Sequence, residues 1–263
     1  MNNLRIGVVG VGHIGSNHAR LYAEIPSAEF TAVYDVDHFR SRTIGGKFGA
    51  IPAKSLDEFI EMVDAASVAT PTNTHYAIAR ALLTKGKHVL VEKPITDNTA
   101  HATELAELAT RGGFILQVGH VERFNPVLGA LETHLTHPRF IEAHRLSPYS
   151  ERSTDIGVVL DLMIHDLEVI LHFVRSPLWS IDAVGVPVLS RSEDIANARL
   201  HFKTVAWQML PPAASVPSGF ARFASFKRTP ISRSIIKIKA AKSIDALEDA
   251  SRVTESTLNG KNR

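Results

Sequence analysis

Short apolar runs alternate along the first 118 residues with longer segments in which apolar residues recur every three or four positions. The short runs predict buried strands, and the longer segments predict amphipathic helices. Regular alternation of the two is typical of βαβ units, which build a parallel sheet between layers of helices. The predicted strands are Leu4–Val9, Phe30–Asp35, Ala66–Ala69, His88–Val91 and Phe114–Val118, and the predicted helices are Ile14–Ala23, Arg40–Phe48, Leu56–Met62, Asn73–Thr84 and Thr99–Arg111.

The pattern changes after Gly119, and we therefore predict a domain boundary there, with one domain over residues 1–119 and a second over residues 120–263. The second domain mixes helices and strands without the βαβ alternation, which predicts an α+β fold with an open sheet. Its predicted elements are a helix near Asn125–Leu135, a strand near Arg139–Leu146, a long helix near Gly157–Val174, and strands at Trp179–Leu189 and Asp194–Phe202.

The tail of the chain, residues 203–263, has an atypical composition. Residues 195–244 contain no Asp or Glu but nine Lys or Arg, and neither a period of two nor one of 3.6 persists across residues 203–233. We therefore expect the sheet to be incomplete or altered after about residue 203. We hypothesise that a frameshift in an ancestral gene or its recorded sequence changed this part of the chain.

Composition excludes several classes of protein. The 263 residues carry a net charge of +2 and are 44% hydrophobic, which argues against a disordered chain, a nucleic-acid binder or a polybasic membrane binder. There is no cysteine, which removes disulfides, thiolate nucleophiles and Cys-ligated metals. We see neither a secretory signal nor an apolar stretch of the roughly 18 residues that a membrane span requires, so we expect a cytoplasmic protein.

A glycine-rich motif, Gly10-Val11-Gly12-His13-Ile14-Gly15, directly follows the first predicted strand and opens the first predicted helix. Glycines at this spacing allow a tight turn, close approach of the backbone to a pyrophosphate, and close packing of the helix on the strand. The amides of the helix N-terminus then face the anion. The motif predicts a dinucleotide site.

An acidic residue, Asp35, lies 20 residues after Gly15, at the end of the second predicted strand. A carboxylate there accepts hydrogen bonds from the adenosine ribose and repels a 2′-phosphate, which favours NAD. Arg40 and Arg42 follow closely and leave NADP open as the alternative.

Two further groups of residues suggest catalytic chemistry. Glu92-Lys93-Pro94 follows the predicted strand His88–Val91, where a lysine could stabilise negative charge on a substrate oxygen. Asp161 and His165 are spaced i and i+4 on an apolar helix, so the carboxylate could orient a histidine suited to proton transfer. A solvated lysine and a core histidine are the structural alternatives, and two side chains are too few for the usual metal site.

With these motifs assembled, the chain resembles the Gfo/Idh/MocA family of NAD(P)-dependent oxidoreductases. The resemblance covers about the first 200 residues in the family's order. A segment at 118–126 is similar to the subgroup that includes UDP-N-acetylglucosamine 3-dehydrogenases. The matching stretches are GVVGVGHIG at 7–15, ATPTNTHYAIA at 69–79, HVLVEKP at 88–94, QVGHVERFNP at 117–126 and DLMIHD at 161–166.

The resemblance implies a Rossmann domain followed by an α+β domain for substrate binding, whose open sheet commonly builds a homo-oligomer. It implies that Lys93 and His165 act in proton transfer and in polarising the substrate oxygen, assisted by Asp161. It also implies that Thr70, Pro71, Asn73 and His75 line the dinucleotide and that Glu92 lies beside the nicotinamide. These five residues join those that the glycine motif and its spacing predict for the cofactor, which are Gly10, Gly12, His13, Ile14, Gly15 and Asp35.

The leading functional hypothesis is a dehydrogenase that moves a hydride between a sugar or nucleotide-sugar secondary alcohol and the nicotinamide. The alternative is a non-catalytic dinucleotide-binding protein, or a degenerate family member with an altered C-terminus. The retained Lys93, Asp161 and His165 favour the enzyme, and the atypical tail favours the alternative.

Overall fold

A computed structural model describes residues 3–132, 138–147, 156–203, 220–227 and 233–240. The chain divides into two compact units, Met1–Val121 and Glu122–Arg263. Each unit has its own sheet and its own buried core, and each is described by itself.

Unit 1 is a six-stranded, fully parallel sheet with the strand order β3-β2-β1-β4-β5-β6. This is the doubly wound order, in which the chain turns back between β1 and β4 and leaves a crevice at the carboxyl ends of the strands. The strands are β1 Leu4–Val9, β2 Ala28–Tyr34, β3 Ile51–Pro52, β4 Ala65–Val68, β5 His88–Val91 and β6 Leu116–Val118, and the helices are α1 His13–Glu24, α2 His38–Phe48, α3 Leu56–Met62, α4 Thr72–Thr84 and α5 Thr99–Gly112.

Both faces of this sheet are buried, as the pattern of apolar runs predicts. The neighbouring residues Val8 and Val9 of β1 point to opposite faces and belong to two different clusters of buried side chains. Val9 packs with a cluster that includes Phe59 and Leu82, whereas Val8 packs with a cluster that includes Phe30. The predicted α/β fold of the N-terminal domain is confirmed.

Unit 2 is an α+β unit with a five-stranded sheet in the order β11-β7-β10-β9-β8. All neighbouring strands are antiparallel except β7 and β10, which are parallel. Among the described residues of both units, no helix is long and apolar enough to cross a bilayer. The elements are a 3-10 turn Val121–Phe124, α6 Pro126–Glu132, β7 Pro138–Ser147, a π-helical turn Val159–Met163, α7 Ile164–Val174, β8 Leu178–Val186, β9 Ile195–Phe202, β10 Phe220–Lys227 and β11 Arg233–Ala240.

The core of unit 2 lies between helix α7 and one face of the sheet. Val169, Ile170 and Phe173 of α7 are buried together with alternate residues of the strands, of which Ala198 and Leu200 in β9 are examples. Because α7 carries the predicted catalytic histidine at its start, this core fixes the helix that presents it. The predicted α+β fold with an open sheet is confirmed.

The expectation that residues 203–233 do not continue the sheet is wrong for Phe220–Lys227, which forms β10. This strand lies between β7 and β9 and pairs with both of them. The pairing on both edges stabilises a strand whose sequence lacks a clear apolar alternation. In β11 the sequence Ile236-Lys237-Ile238-Lys239 has the period of two that a strand requires. The remainder of the tail lies outside the described residues, and the frameshift stays a hypothesis.

Candidate active site

The glycine loop joins β1 to α1 by a turn that only small residues permit. Gly10 has φ +82°, and a Cβ atom there would lie 2.6 Å from the side chain of Thr70. A Cβ atom at Gly15 would lie 1.8 Å from the carbonyl oxygen of Gly10. Gly12 differs, because a Cβ atom there would meet no atom of the described part of the chain within 4 Å. Gly10 and Gly15 are therefore required by the packing of the loop itself, whereas Gly12 leaves open space beside the loop.

The N-terminus of α1 adjoins this open space. The helix begins at His13 with Gly12 as its N-cap, and no side chain among the described residues caps it. The first backbone N–H groups of a helix have no partner within the helix, and they carry its positive end. His13 and Ile14 are exposed. An uncapped helix end beside an open glycine fits the pyrophosphate of a dinucleotide.

Asp35 is buried, and its carboxylate stabilises the glycine loop by accepting a backbone hydrogen bond from it. One carboxylate oxygen accepts the N–H of Val11 at 2.8 Å, and the other accepts the N–H of Asp37 at 2.9 Å. A carboxylate oxygen accepts more than one hydrogen bond, so both oxygens keep capacity for ribose hydroxyls. Asp35 thus fixes the loop as well as fitting the ribose role that the sequence predicts.

The next acid, Asp37, pairs with Arg40, one of the two arginines on which the NADP alternative depends. Its carboxylate caps α2 by accepting the N–H groups of Phe39 and Arg40. The other oxygen of Asp37 is 3.1 Å from Nε of Arg40. With Arg40 held by a carboxylate, the local charge favours NAD over a cofactor with a 2′-phosphate.

His75 lies below the surface, with 1% of its area exposed. Its ring nitrogens are 2.9 Å from the carbonyl oxygen of Pro94 and 2.8 Å from that of Thr70. Sequence reasoning predicts that His75 lines the dinucleotide, but both nitrogens contact the backbone, so the ring joins the loops after β4 and β5. Pro71 and Asn73, by contrast, are exposed at the start of α4.

The Glu92-Lys93-Pro94 segment follows β5, as predicted, and Lys93 is half-buried. Glu92 is 3.1 Å from Nε2 of His18, a residue of α1 that the sequence analysis missed. Burial acts to raise the pKa of Glu92, but the hydrogen bond and charge of His18 and the N–H of Lys93 outweigh it and hold the pKa below its usual value. The sequence signal that could have indicated His18 was its position, because it lies three residues after Gly15 on the inner face of the helix.

In unit 2, the predicted long helix begins as a π-helical turn that contains Asp161 and continues as α7, which contains His165. Both side chains are half-buried. The start of the turn is held by Glu193, whose backbone oxygen accepts the N–H of Val158 at 2.9 Å. A Cβ atom at Gly157 would lie 2.0 Å from the Glu193 carboxylate, so a larger residue there would displace that side chain. Single π-turns within helices occur frequently at functional sites.

A set of ion pairs around α7 was also missed by the sequence analysis. Arg145 of β7 donates to Asp166 at 2.9 Å, and burial raises the pKa of Asp166 although Arg145 opposes the rise. Arg123 donates to Glu168, whose carboxylate is also buried. Asp166 and Glu168 lie one and three residues after His165, so their pairing restrains the rotation of the helix that carries it.

The predicted site residues thus fall into two groups. The predicted cofactor residues and Lys93 lie at or just beyond the carboxyl ends of β1, β2, β4 and β5 in unit 1, which is one edge of its sheet. Asp161 and His165 lie on one continuous helical segment of unit 2. The first group defines a dinucleotide-binding Rossmann domain.

Comparison with known proteins identifies the family. The model of an oxidoreductase family with an NAD-binding Rossmann fold, Gfo/Idh/MocA, matches residues 4–120. A UDP-N-acetylglucosamine 3-dehydrogenase of Acidithiobacillus ferrooxidans is 37% identical over 199 residues, which are 75% of this chain and 63% of that protein. An inositol 2-dehydrogenase of Acidothermus cellulolyticus is 31% identical over 196 residues, 70% of this chain and 57% of that protein.

A solved structure of the Acidithiobacillus enzyme superposes with a TM-score of 0.81 at 32% identity, covering 92% of this chain and 75% of that one. The chain therefore belongs to the Gfo/Idh/MocA family of oxidoreductases, and its N-terminal unit has the family's NAD-binding fold. The predicted family and the predicted NAD cofactor are confirmed. The aligned part spans less than two thirds of the two curated relatives named above.

We expect Gly12→Ala and Gly15→Ala to weaken NADH binding for different reasons. Gly15→Ala forces the loop apart and should destabilise the protein by roughly 2–4 kcal/mol. Gly12→Ala should leave the melting temperature within about 1 °C, yet raise the Kd for NADH at least about tenfold, because its methyl group occupies the pyrophosphate's approach. Calorimetry and NADH fluorescence measure both quantities. Unchanged NADH affinity in Gly12→Ala would contradict this placement of the cofactor.

We expect Asp37→Ser to shift cofactor preference toward NADPH. Serine still caps α2, but it releases the Arg40 guanidinium to pair with a 2′-phosphate. The ratio of the Kd values for NADH and NADPH, measured by fluorescence at low ionic strength, should move toward NADPH by about tenfold. The double variant Asp37→Ser/Arg40→Leu is the control and should lose this gain. A gain that persists without Arg40 would show that the pairing is not its cause.

Proposed function

We propose that this protein is an NAD-dependent dehydrogenase that acts on a secondary alcohol of a sugar or nucleotide sugar, with UDP-N-acetylglucosamine oxidised at C3 as the specific candidate. The observation that carries the proposal is the position of Lys93 at the same sheet edge as the glycine loop. A dinucleotide bound along this edge comes within the reach of a lysine side chain. The similarity to UDP-N-acetylglucosamine 3-dehydrogenase supports the substrate candidate.

The residues of unit 1 bind and orient the cofactor in this proposal. The glycine loop and the first amides of α1 hold the pyrophosphate, and Asp35 accepts hydrogen bonds from the adenosine ribose. Thr70, Pro71 and Asn73 line the dinucleotide, Glu92 lies beside the nicotinamide, and His75 holds two of the loops. When bound, NAD supplies the hydride acceptor.

The remaining residues act on the substrate. His165 takes the proton of the hydroxyl group, Asp161 orients the histidine, and Lys93 stabilises the developing alkoxide by donating from its ammonium group. The loss of hydride from the carbinol carbon is therefore matched by the loss of a proton to His165. In the reductive direction, His165 returns the proton.

The second candidate is a dinucleotide-binding protein without catalytic activity. The atypical composition of residues 203–263 favours it, since the sheet behind the catalytic helix takes two strands from that tail. It predicts cofactor affinity without turnover of any sugar. The presence of Lys93, Asp161 and His165 together favours the enzyme.

We also propose that the protein forms a homo-oligomer and that it is located in the cytoplasm. Strand β8 is at the edge of the unit 2 sheet and exposes apolar side chains, including Trp179, Ile181 and Val184. Apolar side chains concentrated on one exposed strand are typical of an interface. A second copy of this chain is the partner that the family resemblance implies.

We expect Lys93→Met to lower kcat for UDP-N-acetylglucosamine oxidation by about 10³-fold, because the alkoxide loses its charged donor. The Kd for NADH should stay within about threefold. The assay follows the absorbance of reduced nicotinamide, with a hydrazine to trap the ketone. Lys85→Met is the control, since Lys85 is exposed and pairs only weakly with Glu61.

Loss of NADH binding in step with turnover would contradict the assigned role of Lys93. NADH binding without turnover of this or any other sugar by the unaltered protein would favour the second candidate.

A further inference from the structure

The strongest unassigned feature of unit 1 is the contact between His18 and Glu92. The Nε2 atom of His18 lies 3.1 Å from a carboxylate oxygen of Glu92, and the two side chains are only 17% and 18% exposed. His18 belongs to the helix that begins at the glycine loop. Glu92 directly precedes Lys93. The contact therefore joins the cofactor helix to the loop with the proposed catalytic lysine.

Glu92 makes two polar contacts that restrain it. His18 contacts it from α1, and the backbone N–H of Lys93 bonds to it within its own loop. Gly119, just after β6, lies close beside the carboxylate, since an added Cβ atom there would be 2.8 Å from a Glu92 carboxylate oxygen. The carboxylate thus links α1 to the backbone of Lys93.

Helix α1 is itself held in place by contacts on either side of His18, so a bond from His18 to Glu92 restrains this loop. One turn beyond His18, the hydroxyl of Tyr22 lies 2.6 Å from that of Ser67, which is fully buried in β4. At its other end, the helix is set by the close approach of Gly15 to Gly10. His18 lies between these two attachments, where the helix has little freedom to move.

We propose that His18 is a positioning residue that holds the Glu92–Lys93 loop against α1, so that the lysine and the dinucleotide keep a fixed relative position. This inference rests on the proposed function of Lys93. A side chain that only filled space between α1 and the loop would not need a polar atom. His18 supplies the bond that ties the Glu92 carboxylate to α1, since the bond that the carboxylate accepts from the N–H of Lys93 lies within its own loop.

The test compares His18→Leu, which removes the donor, with His18→Gln, whose amide places an N–H near the position of Nε2. Arg20→Leu is the matched control, because Arg20 lies on the same helix and its ion pair is with the exposed Glu24. The first readout is hydrogen exchange of the amides in residues 88–97 of the NADH-saturated protein, which reports the loop without requiring turnover. The second is the kinetics of sugar oxidation.

We expect His18→Leu to speed exchange in residues 88–97 at least about tenfold, with the residues of β4 unchanged. It should lower kcat by about 10- to 100-fold with a change in the NADH Kd below about threefold, because misplacing a catalytic group reduces chemistry more than binding. His18→Gln should recover most of both losses. In a Glu92→Ala background, His18→Leu should cost less than about twofold, since the shared contact is already lost.

Exchange in residues 88–97 that matches the Arg20→Leu control would overturn the proposal. So would equal losses from His18→Leu with and without Glu92, or failure of His18→Gln to recover either property. If the unaltered protein proves to have no turnover, the proposed function fails, while hydrogen exchange still decides whether His18 holds the loop.

Discussion

The approach of helix α1 to the end of strand β1 is the constraint on which the rest of unit 1 depends. The distance between a Cβ atom at Gly15 and the carbonyl oxygen of Gly10 would be 1.8 Å, so the helix can pack this closely only without a side chain. That packing directs the uncapped N-terminus of α1 at the crevice where the sheet order reverses. It also sets the position of His18 and Tyr22, through which the helix contacts β4 and the loop after β5.

Buried polar groups then link the loops at this edge of the sheet. Asp35 holds the glycine loop, His75 joins the loops after β4 and β5, and Glu92 joins the second of these loops to α1. Each buried group left without a partner would cost about 1–3 kcal/mol. The cost keeps the network intact, and the network ties these loops to one another. Loops held together in this way suit the proposed hydride transfer, which depends on the distance between two carbon atoms.

Much of this architecture follows from local sequence. The alternation of apolar runs predicts the parallel sheet, and strand β5 and helix α3 begin and end where the pattern indicates. Contacts between distant residues are harder to predict, because neither His18 nor Glu92 carries a local signal of the other. Strand β10 was missed for a related reason. It forms by pairing with its neighbours β7 and β9, and its own composition gives no clear strand pattern. The π-helical turn with Asp161 was missed because its composition differs little from that of an α-helix.

The central proposal is that this chain moves a hydride from the carbinol carbon of a nucleotide sugar, with UDP-N-acetylglucosamine as the candidate, to the nicotinamide. The most direct measurement uses UDP-N-acetylglucosamine deuterated at C3, with mass spectrometry of the cofactor after incubation with NAD. The account predicts that reduced nicotinamide carries one deuterium. Reduced cofactor without deuterium, or no reduced cofactor with a protein that binds NADH, would contradict it.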